Sequence, residues 1–247
     1  QKQPGVFHLR STYEAELQRM AGMLAGAGYQ RVQIVFSKDS FGVASKDTLV
    51  QALGALGLAA PEPISMERNG DNLHEAIGQI ARRCKDTEPV ATAIVLLVIS
   101  APAIEATRML RTQHQIILPV YAMSHVVNRT LASKPMPGTA GFGAMLAFPL
   151  PRTSRDSVAA KFRETAERGG KSDLTDSLTA FEGFFYGSVF AHALLASPGV
   201  ATRKDIIERL HGGLSVYGLP IRPNDANEGY AYIDVAYKES KSGLLRN

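Results

Sequence analysis

Three short turns in the sequence carry residue types that could contact a small molecule. The turn "SKDSFG" (37–42) follows an apolar run and holds one glycine, Gly42, beside one aromatic ring, Phe41. A phosphate-binding loop needs more glycine than this, and a nucleotide kinase needs a Lys-Ser/Thr pair after it. The turn is therefore more typical of a wall against a small organic molecule. The turns "ISAPA" (99–103) and "AMSHV" (122–126) follow two further apolar runs.

Seven residues on or near these turns are candidate ligand contacts. They are Tyr13, Phe41, Ser100, Ala101, Pro102, Ser124 and His125. Four of them also have an ordinary structural interpretation. Phe41 could pack in a core, Tyr13 could cover the first helix, and Ser124 could cap a helix that has His125 in its first turn. The sequence leaves both interpretations open.

Patterns typical of enzymes and metal sites do not occur in the sequence. The stretch "GFGAM" (141–145) lacks the third glycine of a dinucleotide-binding loop. The six histidines show no zinc-binding spacing, and no Gly-x-Ser-x-Gly stretch occurs. The single cysteine, Cys84, excludes an internal disulfide and a cysteine-based metal site, and its spacing from Ile77 and Ile80 predicts a core thiol. We therefore expect a protein that is not an enzyme, with no catalytic residue, no cofactor and no metal.

Composition and charge indicate a globular protein and argue against two other classes, nucleic-acid-binding and membrane-spanning proteins. A hydrophobic content of 45% over 247 residues supports a packed core. The net charge of +4 comes from scattered residues, so nucleic-acid binding is not expected. The longest apolar run, Phe181–Leu195, is shorter than a membrane span of about 18 residues, and it contains Glu182 and His192. We therefore predict that the chain does not span a membrane.

Apolar runs alternate with helical patterns over the first 150 residues. This alternation predicts an α/β fold with a parallel sheet flanked by helices. The strands Val32–Phe36, Ala93–Ile99 and Pro119–Met123 are predicted to be parallel neighbours in one sheet. Ligands of such sheets bind beyond the carboxyl ends of the strands. The turns that follow these three strands should therefore converge on one partly exposed, concave edge.

Local signals give the expected helix starts. Ser11, with Glu14 three residues later, is a plausible cap of the first helix. Pro102 is expected at the first position of the helix after "ISA", and Thr202 is expected to cap the last helix.

The pattern changes after Pro151. Three helices follow there, at Asp156–Arg168, Ser177–Ala196 and Lys204–His211. The middle helix is apolar nearly all round, which predicts that it is buried on several sides. The chain ends with two strand-like runs, "GLPIRP" and "YAYIDVAY".

Several stretches together resemble one protein family. They are "VFHLRSTYEAE", "GYQRVQIVFSKDSFGVA", "DSLTAFEGFFYGSVFAHAL", "ATRKDIIERL" and "GLPIRPNDANEGYAYIDV". In order and spacing they are similar to the periplasmic substrate-binding proteins of branched-chain amino-acid-type (Leu/Ile/Val-binding) ABC transporters. The resemblance implies a two-lobe type I periplasmic-binding-protein fold whose first lobe is incomplete in this chain. It implies a second lobe over 5–143, a helical part of the first lobe over 150–228, and a crossing strand and tail over 229–247.

The resemblance also implies a function. It implies a periplasmic receptor that delivers a small amino-acid-like or carboxylate ligand to the permease of an ABC importer. The family's amino-acid binders hold the ligand ammonium with an acid that falls on Ser124 or His125 here, and neither is acidic. This difference argues against an α-amino acid. Two alternatives remain: a ligand-sensing domain of a regulator or receptor with the same fold, and a Rossmann-like enzyme fragment.

The resemblance makes a further prediction about the helix at Ser177–Ala196. In the family this helix packs on a sheet built largely from strands that precede the segment matching this chain. We therefore expect its rings to be covered by upstream residues of the intact protein or by another copy of the chain.

Overall fold

The computed structural model describes residues 7, 9–85, 91–127, 137–196, 201–221, 223–224, 229–230 and 236–240. The chain divides into two compact units. One comprises residues 12–146 and 235–246, and the other comprises residues 1–11, 147–234 and 247. Each unit is described by itself.

The unit of residues 12–146 and 235–246 is built on a six-stranded sheet. Its strands are β1 (Arg31–Ser37), β2 (Ile64–Met66), β3 (Thr92–Leu97), β4 (Val120–Ala122), β5 (Phe142–Leu146) and β10 (Ala236–Ser240). Their order across the sheet is β10-β5-β4-β3-β1-β2. All neighbours are parallel except β10, which runs antiparallel to β5. The helices are α1 (Tyr13–Gly26), α2 (Ser40–Ala55), α3 (Leu73–Lys85) and α4 (Ser100–Thr112).

The predicted central strands are confirmed as parallel neighbours. Val32 of β1 lies beside Ala93 of β3, and Ile94 of β3 lies beside Val120 of β4. The two later strands are shorter than predicted, because the ladder of β3 ends at Leu97 and that of β4 at Ala122. The carboxyl ends of β1, β3 and β4 therefore meet at one edge of the sheet.

Two helix starts differ from the sequence-based expectation. Thr12, not Ser11, caps α1, because the Thr12 side chain accepts a hydrogen bond from the Ala15 amide at 3.1 Å. Pro102 is the third residue of α4 rather than the first, because the helix already begins at Ser100. The backbone amide of the third residue of a helix has no intrahelical partner, so a proline is tolerated at that position.

One hydrophobic core of this unit lies between one face of the sheet and helices α1 and α2. Every position of β3 is buried, as expected for a strand covered on both faces. The cluster contains Leu17, Met20, Leu24, Val32, Ile34, Leu49, Leu53, Val95, Leu97 and Met123. Cys84 lies on α3 and is only half-buried, and burial raises the pKa of its thiol.

The second unit consists mainly of helices. They are α5 (Ser157–Arg168), α6 (Leu178–Leu195) and α7 (Arg203–Gly212), with a 3-10 turn at Ser172–Asp176. Two hairpins follow, formed by β6 (Leu214–Val216) with β7 (Leu219–Ile221), and by β8 (Pro223–Asn224) with β9 (Gly229–Tyr230). Thr202 caps α7 in a capping box with Asp205, as predicted. The predicted run "YAYIDVAY" includes residues 231–235, which lie outside the described residues.

Helix α6 is buried on one face and exposed on the other within the described residues. Phe181 and Phe185 are fully buried in a core of aromatic rings with Phe148 and Phe162. The exposed face carries Thr179, Gly183, Gly187, Phe190, Ala191, Leu194 and Leu195. Phe190 is 53% exposed and Leu195 is 85% exposed.

Among the described residues, α6 is also the one helix long and apolar enough to cross a membrane by length and composition. The core helix of a soluble protein meets the same criteria. Glu182 within α6 accepts a hydrogen bond from the Tyr186 hydroxyl and lies 3.9 Å from a guanidinium nitrogen of Arg10. A carboxylate with these polar partners is ordinary for a helix that packs in a globular unit.

Candidate ligand-binding site

The turn between β1 and α2 is held by the carboxylate of Asp39. Asp39 caps α2 and accepts hydrogen bonds from the Gly42 amide at 2.7 Å and from the Ser37 hydroxyl at 3.0 Å. A guanidinium nitrogen of Arg68 donates to its second oxygen at 2.9 Å. The Gly42 amide is the main reason that the pKa of Asp39 lies below its ordinary value, with the Ser37 and Arg68 bonds adding to the effect.

Gly42 is required by how closely this turn folds back on the end of β1. A Cβ atom at position 42 would lie 2.1 Å from the Ser37 carbonyl oxygen and 2.5 Å from the Ser37 hydroxyl oxygen. No side chain fits at these distances, so the turn depends on glycine. The tight turn fixes the start of α2 and therefore the position of Phe41, its second residue.

Three aromatic rings meet at this edge of the sheet. The Phe41 ring centroid lies 5.0 Å from that of Tyr13 and 5.2 Å from that of His125. Tyr13 and His125 are 5.7 Å apart. All three pairs are edge-to-face, with interplanar angles of 77°, 87° and 87°. We call these three residues the ring cluster. The sequence predicted a common edge for Phe41 and His125 and left the position of Tyr13 open, and the structure brings all three rings into mutual contact.

A buried carboxylate holds the turn that carries His125. β4 is followed by a 3-10 turn at Ser124–Val126. Glu16, on α1 and fully buried, accepts hydrogen bonds from the Ser124 amide at 3.0 Å and from the Ser124 hydroxyl at 2.6 Å. Helix α1 therefore positions the His125 turn through two residues. Tyr13 contacts the His125 ring, and Glu16 binds the neighbouring residue, Ser124.

His125 is also tied to the end of β3. Its Nε2 lies 3.2 Å from the Val98 carbonyl oxygen. The Ser100 hydroxyl donates to the His125 carbonyl oxygen at 3.4 Å. The first turn of α4 therefore lies against the 3-10 turn, and the segments after β1, β3 and β4 form one continuous surface.

The predicted contacts differ in exposure. Tyr13 is 36% exposed, Phe41, Ser100 and His125 are half-buried, and Ala101 is exposed. Pro102 and Ser124 are buried, although partial exposure was expected for them. Ser124 is buried because its hydroxyl faces Glu16. Phe41 also packs against the core cluster, so its packing role is confirmed, and its role as a ligand contact stays a prediction.

Sequence reasoning missed Glu16. The signal was present, because Glu16 lies four residues before Met20 and eight before Leu24 on the buried face of α1. An acid on an apolar helical face needs a buried partner. Its partner lies 108 residues further along the chain, and no local pattern identifies it.

Within the described residues, no group of three or more His, Cys, Asp or Glu residues could hold a metal ion. This edge offers a ligand ring surface and the amino end of α4. That helix has no side-chain cap, since Ile99 occupies the cap position.

Comparison with solved structures identifies the fold. No family model and no curated protein matches the sequence. A substrate-binding periplasmic protein from Ralstonia solanacearum matches 99% of this chain and 68% of its own, with 22% identity and a TM-score of 0.77. A possible leucine/isoleucine/valine-binding protein from Rhodopirellula baltica SH 1 matches 98% of this chain and 65% of its own, with 18% identity and a TM-score of 0.75.

A third neighbour is a solute-binding protein of an ABC transporter from R. palustris in complex with benzoate. It matches 99% of this chain and 64% of its own, with 15% identity and a TM-score of 0.77. The chain thus spans about two thirds of the length of these neighbours, and both its parallel sheet and its helical unit are matched. The chain has the α/β fold of the type I periplasmic substrate-binding proteins of ABC transporters, over about two thirds of that fold.

Proposed function

We propose that this protein is a periplasmic solute-binding receptor that delivers a small carboxylate or amino-acid-like ligand to the permease of an ABC importer. The observation that carries the proposal is the ring cluster at the carboxyl ends of the parallel strands, the position where open α/β sheets bind ligands. The neighbours support the role, since one is described in complex with benzoate, one in complex with Leu and one with bound valine.

The ring cluster suits the hydrocarbon part of such a ligand. Tyr13, Phe41 and His125 all keep part of their surface exposed, so a small molecule could contact each of them. An aromatic contact adds roughly 0.5–1.5 kcal/mol beyond the apolar area that it buries. Two or three such contacts fit the modest affinity that a receptor needs if it must release its ligand to a permease.

The same edge suits a carboxylate. The helices α2 and α4 both begin there, and the amino end of a helix carries a partial positive charge that favours anions. The amino end of α2 is occupied by Asp39, whereas α4 has no side-chain cap. We propose that the backbone amides of Ser100 and Ala101, in the first turn of α4, form the polar part of the contact surface, with Pro102 and Ser124 supporting it from beneath.

No catalytic step is part of the proposal. The neighbours are described as binding proteins and receptors, and the receptor role needs only binding and release. The proposed periplasmic location rests on the same comparison, because the neighbour from Ralstonia solanacearum is described as periplasmic.

A melting-temperature screen of the full-length protein against small carboxylates and amino acids tests the proposal. A ligand at a hundredfold excess over its Kd adds about 2.7 kcal/mol to the stability of the folded state. We expect at least one compound to raise Tm in a concentration-dependent way. A screen of both classes in which no compound raises Tm would overturn the receptor role.

A tryptophan reporter localises the binding event. The 247-residue chain contains no tryptophan, so Phe41→Trp adds a fluorophore at the ring cluster. We expect the active compound to change its emission. The matched control is Phe190→Trp, in the other unit, whose emission should not respond. A response at position 190 alone would contradict the proposed site.

A further inference from the structure

We infer that Arg68 is a positioning residue of the ring cluster, which holds Phe41 in place by fixing the Asp39 carboxylate. The inference rests on the proposed function and adds a further segment to the site, the loop of residues 67–72 that follows β2. It starts from the order of the sheet. β2 is parallel to β1 and lies beside it, so the carboxyl ends of both strands meet at one edge.

Three interactions join this loop to the turn between β1 and α2. The ladder of the two strands continues into the turn, because the Lys38 amide donates to the Met66 carbonyl oxygen at 2.9 Å. The Lys38 ammonium donates to a carboxylate oxygen of Glu67 at 2.6 Å. A guanidinium nitrogen of Arg68 donates to Asp39 at 2.9 Å. Two adjacent residues of the turn are therefore each paired with a residue of opposite charge in the loop.

The loop is itself supported on two sides. The Glu67 amide donates to the side-chain oxygen of Asn72 at 2.7 Å, and Asn72 directly precedes the first residue of α3. A Cβ atom at Gly70 would lie 3.9 Å from Cγ of Pro102, so the loop backbone runs close to the first turn of α4. Arg68 thus belongs to a segment that α3 and α4 hold in place.

The bond from Arg68 fixes the orientation of the Asp39 carboxylate. One oxygen of Asp39 accepts hydrogen bonds from the Gly42 amide and the Ser37 hydroxyl. Arg68 donates to the other oxygen, so the carboxylate cannot rotate without losing a charge-assisted hydrogen bond. The bond to Gly42 caps α2, and Phe41 is the second residue of that helix. A guanidinium that fixes the carboxylate therefore also restrains the ring.

The exposure of the pair sets the size of the expected effect. The side chain of Arg68 is 65% exposed, and that of Asp39 is 21% exposed. Ion pairs at exposed sites change an equilibrium constant by at most about fivefold. Arg68 should therefore tune the position of the ring without being required for folding, and its removal can be studied in the folded protein.

A tryptophan at the ring cluster measures the effect without any ligand. In the full-length protein that carries Phe41→Trp, we expect Arg68→Ala to raise the quenching of the indole by acrylamide, because the turn is held less tightly. Arg68→Lys keeps a charged donor and should restore most of the protection. The matched control is Arg108→Ala, which removes another exposed guanidinium paired with a carboxylate, that of Glu105. The control should leave the quenching unchanged.

A double substitution tests whether Arg68 acts through Asp39. Asparagine also caps helices, so Asp39→Asn should fold, and in its presence Arg68→Ala should change the quenching much less. Quenching that rises equally with and without Asp39→Asn would contradict the inference. Unchanged quenching in Arg68→Ala, or the same increase in Arg108→Ala, would also overturn it.

Ligand affinity separates the inference from the proposed function. The probes are benzoate, leucine and valine, which are bound in three of the neighbours. For a probe that binds, titration calorimetry should give a Kd about twofold to fivefold higher for Arg68→Ala than for Arg108→Ala. Equal Kd values would overturn the inference and leave the receptor role intact. If none of the probes binds, the quenching still decides the inference, and the receptor role falls only if the wider screen is also negative.

Discussion

Gly42→Ala should destabilise the protein because the turn that positions Phe41 has no room for a Cβ atom. That atom would lie 2.1 Å from the Ser37 carbonyl oxygen, and ordinary contact requires a separation larger by about 1 Å or more. Ser37 belongs to β1, so the start of α2 must move instead. Overpacking of this kind costs about 1–3 kcal/mol. Loss of the cap bond between Asp39 and the Gly42 amide adds about 1 kcal/mol.

The expected cost of Gly42→Ala is therefore about 2–4 kcal/mol, or roughly 4–16 °C in Tm for a chain of this size. Differential scanning calorimetry measures the shift. Gly54→Ala is the matched control, because a Cβ there meets nothing within 4 Å in the same helix. The control should stabilise the protein by about 0.4–1 kcal/mol. Equal Tm shifts in the two variants would refute the tight-turn argument.

Three further predictions follow from the same structure. Because hydrogen bonds lower the pKa of Asp39, its ionised form stabilises the folded state above the ordinary pKa of 3.8. The Tm difference between the unmodified protein and Asp39→Asn should therefore be largest near pH 7 and vanish as the pH falls through the lowered pKa; a constant difference would contradict this. Glu16→Gln should lower the free energy of unfolding in urea by about 1–3 kcal/mol. Its effect should be strongly non-additive with that of Ser124→Ala, because the two residues share the buried hydrogen bonds. Simple additivity of the two effects would argue against this bond pair. The face of α6 that carries Phe190 should be covered in solution, so light scattering should give a mass above 26.6 kDa, and a monodisperse monomer of that mass would contradict the two-lobe interpretation.

The parallel pairing of the central strands in one sheet could be predicted from sequence because each strand is an apolar run between helical patterns. Their ends could not. Val98 and Ile99 are as apolar as the strand before them, yet β3 ends at Leu97. The Val98 carbonyl lies within hydrogen-bond distance of the His125 ring, and Ile99 occupies the cap position of α4. A strand ends where its backbone groups form hydrogen bonds outside the sheet ladder, and residue composition does not predict that position.

The site was predictable in outline for the same reason. Parallel strands bring their carboxyl ends to one edge, so Phe41 and His125 were expected there together. The contact between their rings depends on the depth of the turn at Gly42 and on the anchor at Glu16. Both depend on distances across the fold, including a bond between residues 108 positions apart.

Helix α6 shows where composition was misleading. Its apolar residues surround most of the helix, which predicted burial on several sides, but only one face packs within the described residues. The exposed face combines small residues with Phe190. What covers this face cannot be predicted from the pattern of one helix, because the covering group need not belong to the neighbouring sequence.

A crystal structure of the full-length protein with the compound that raises Tm most tests the central claim directly. We expect electron density for the compound against at least two rings of the cluster formed by Tyr13, Phe41 and His125, with its carboxylate towards the amino end of α4. Density for the compound at a place remote from the carboxyl ends of β1, β3 and β4 would contradict it.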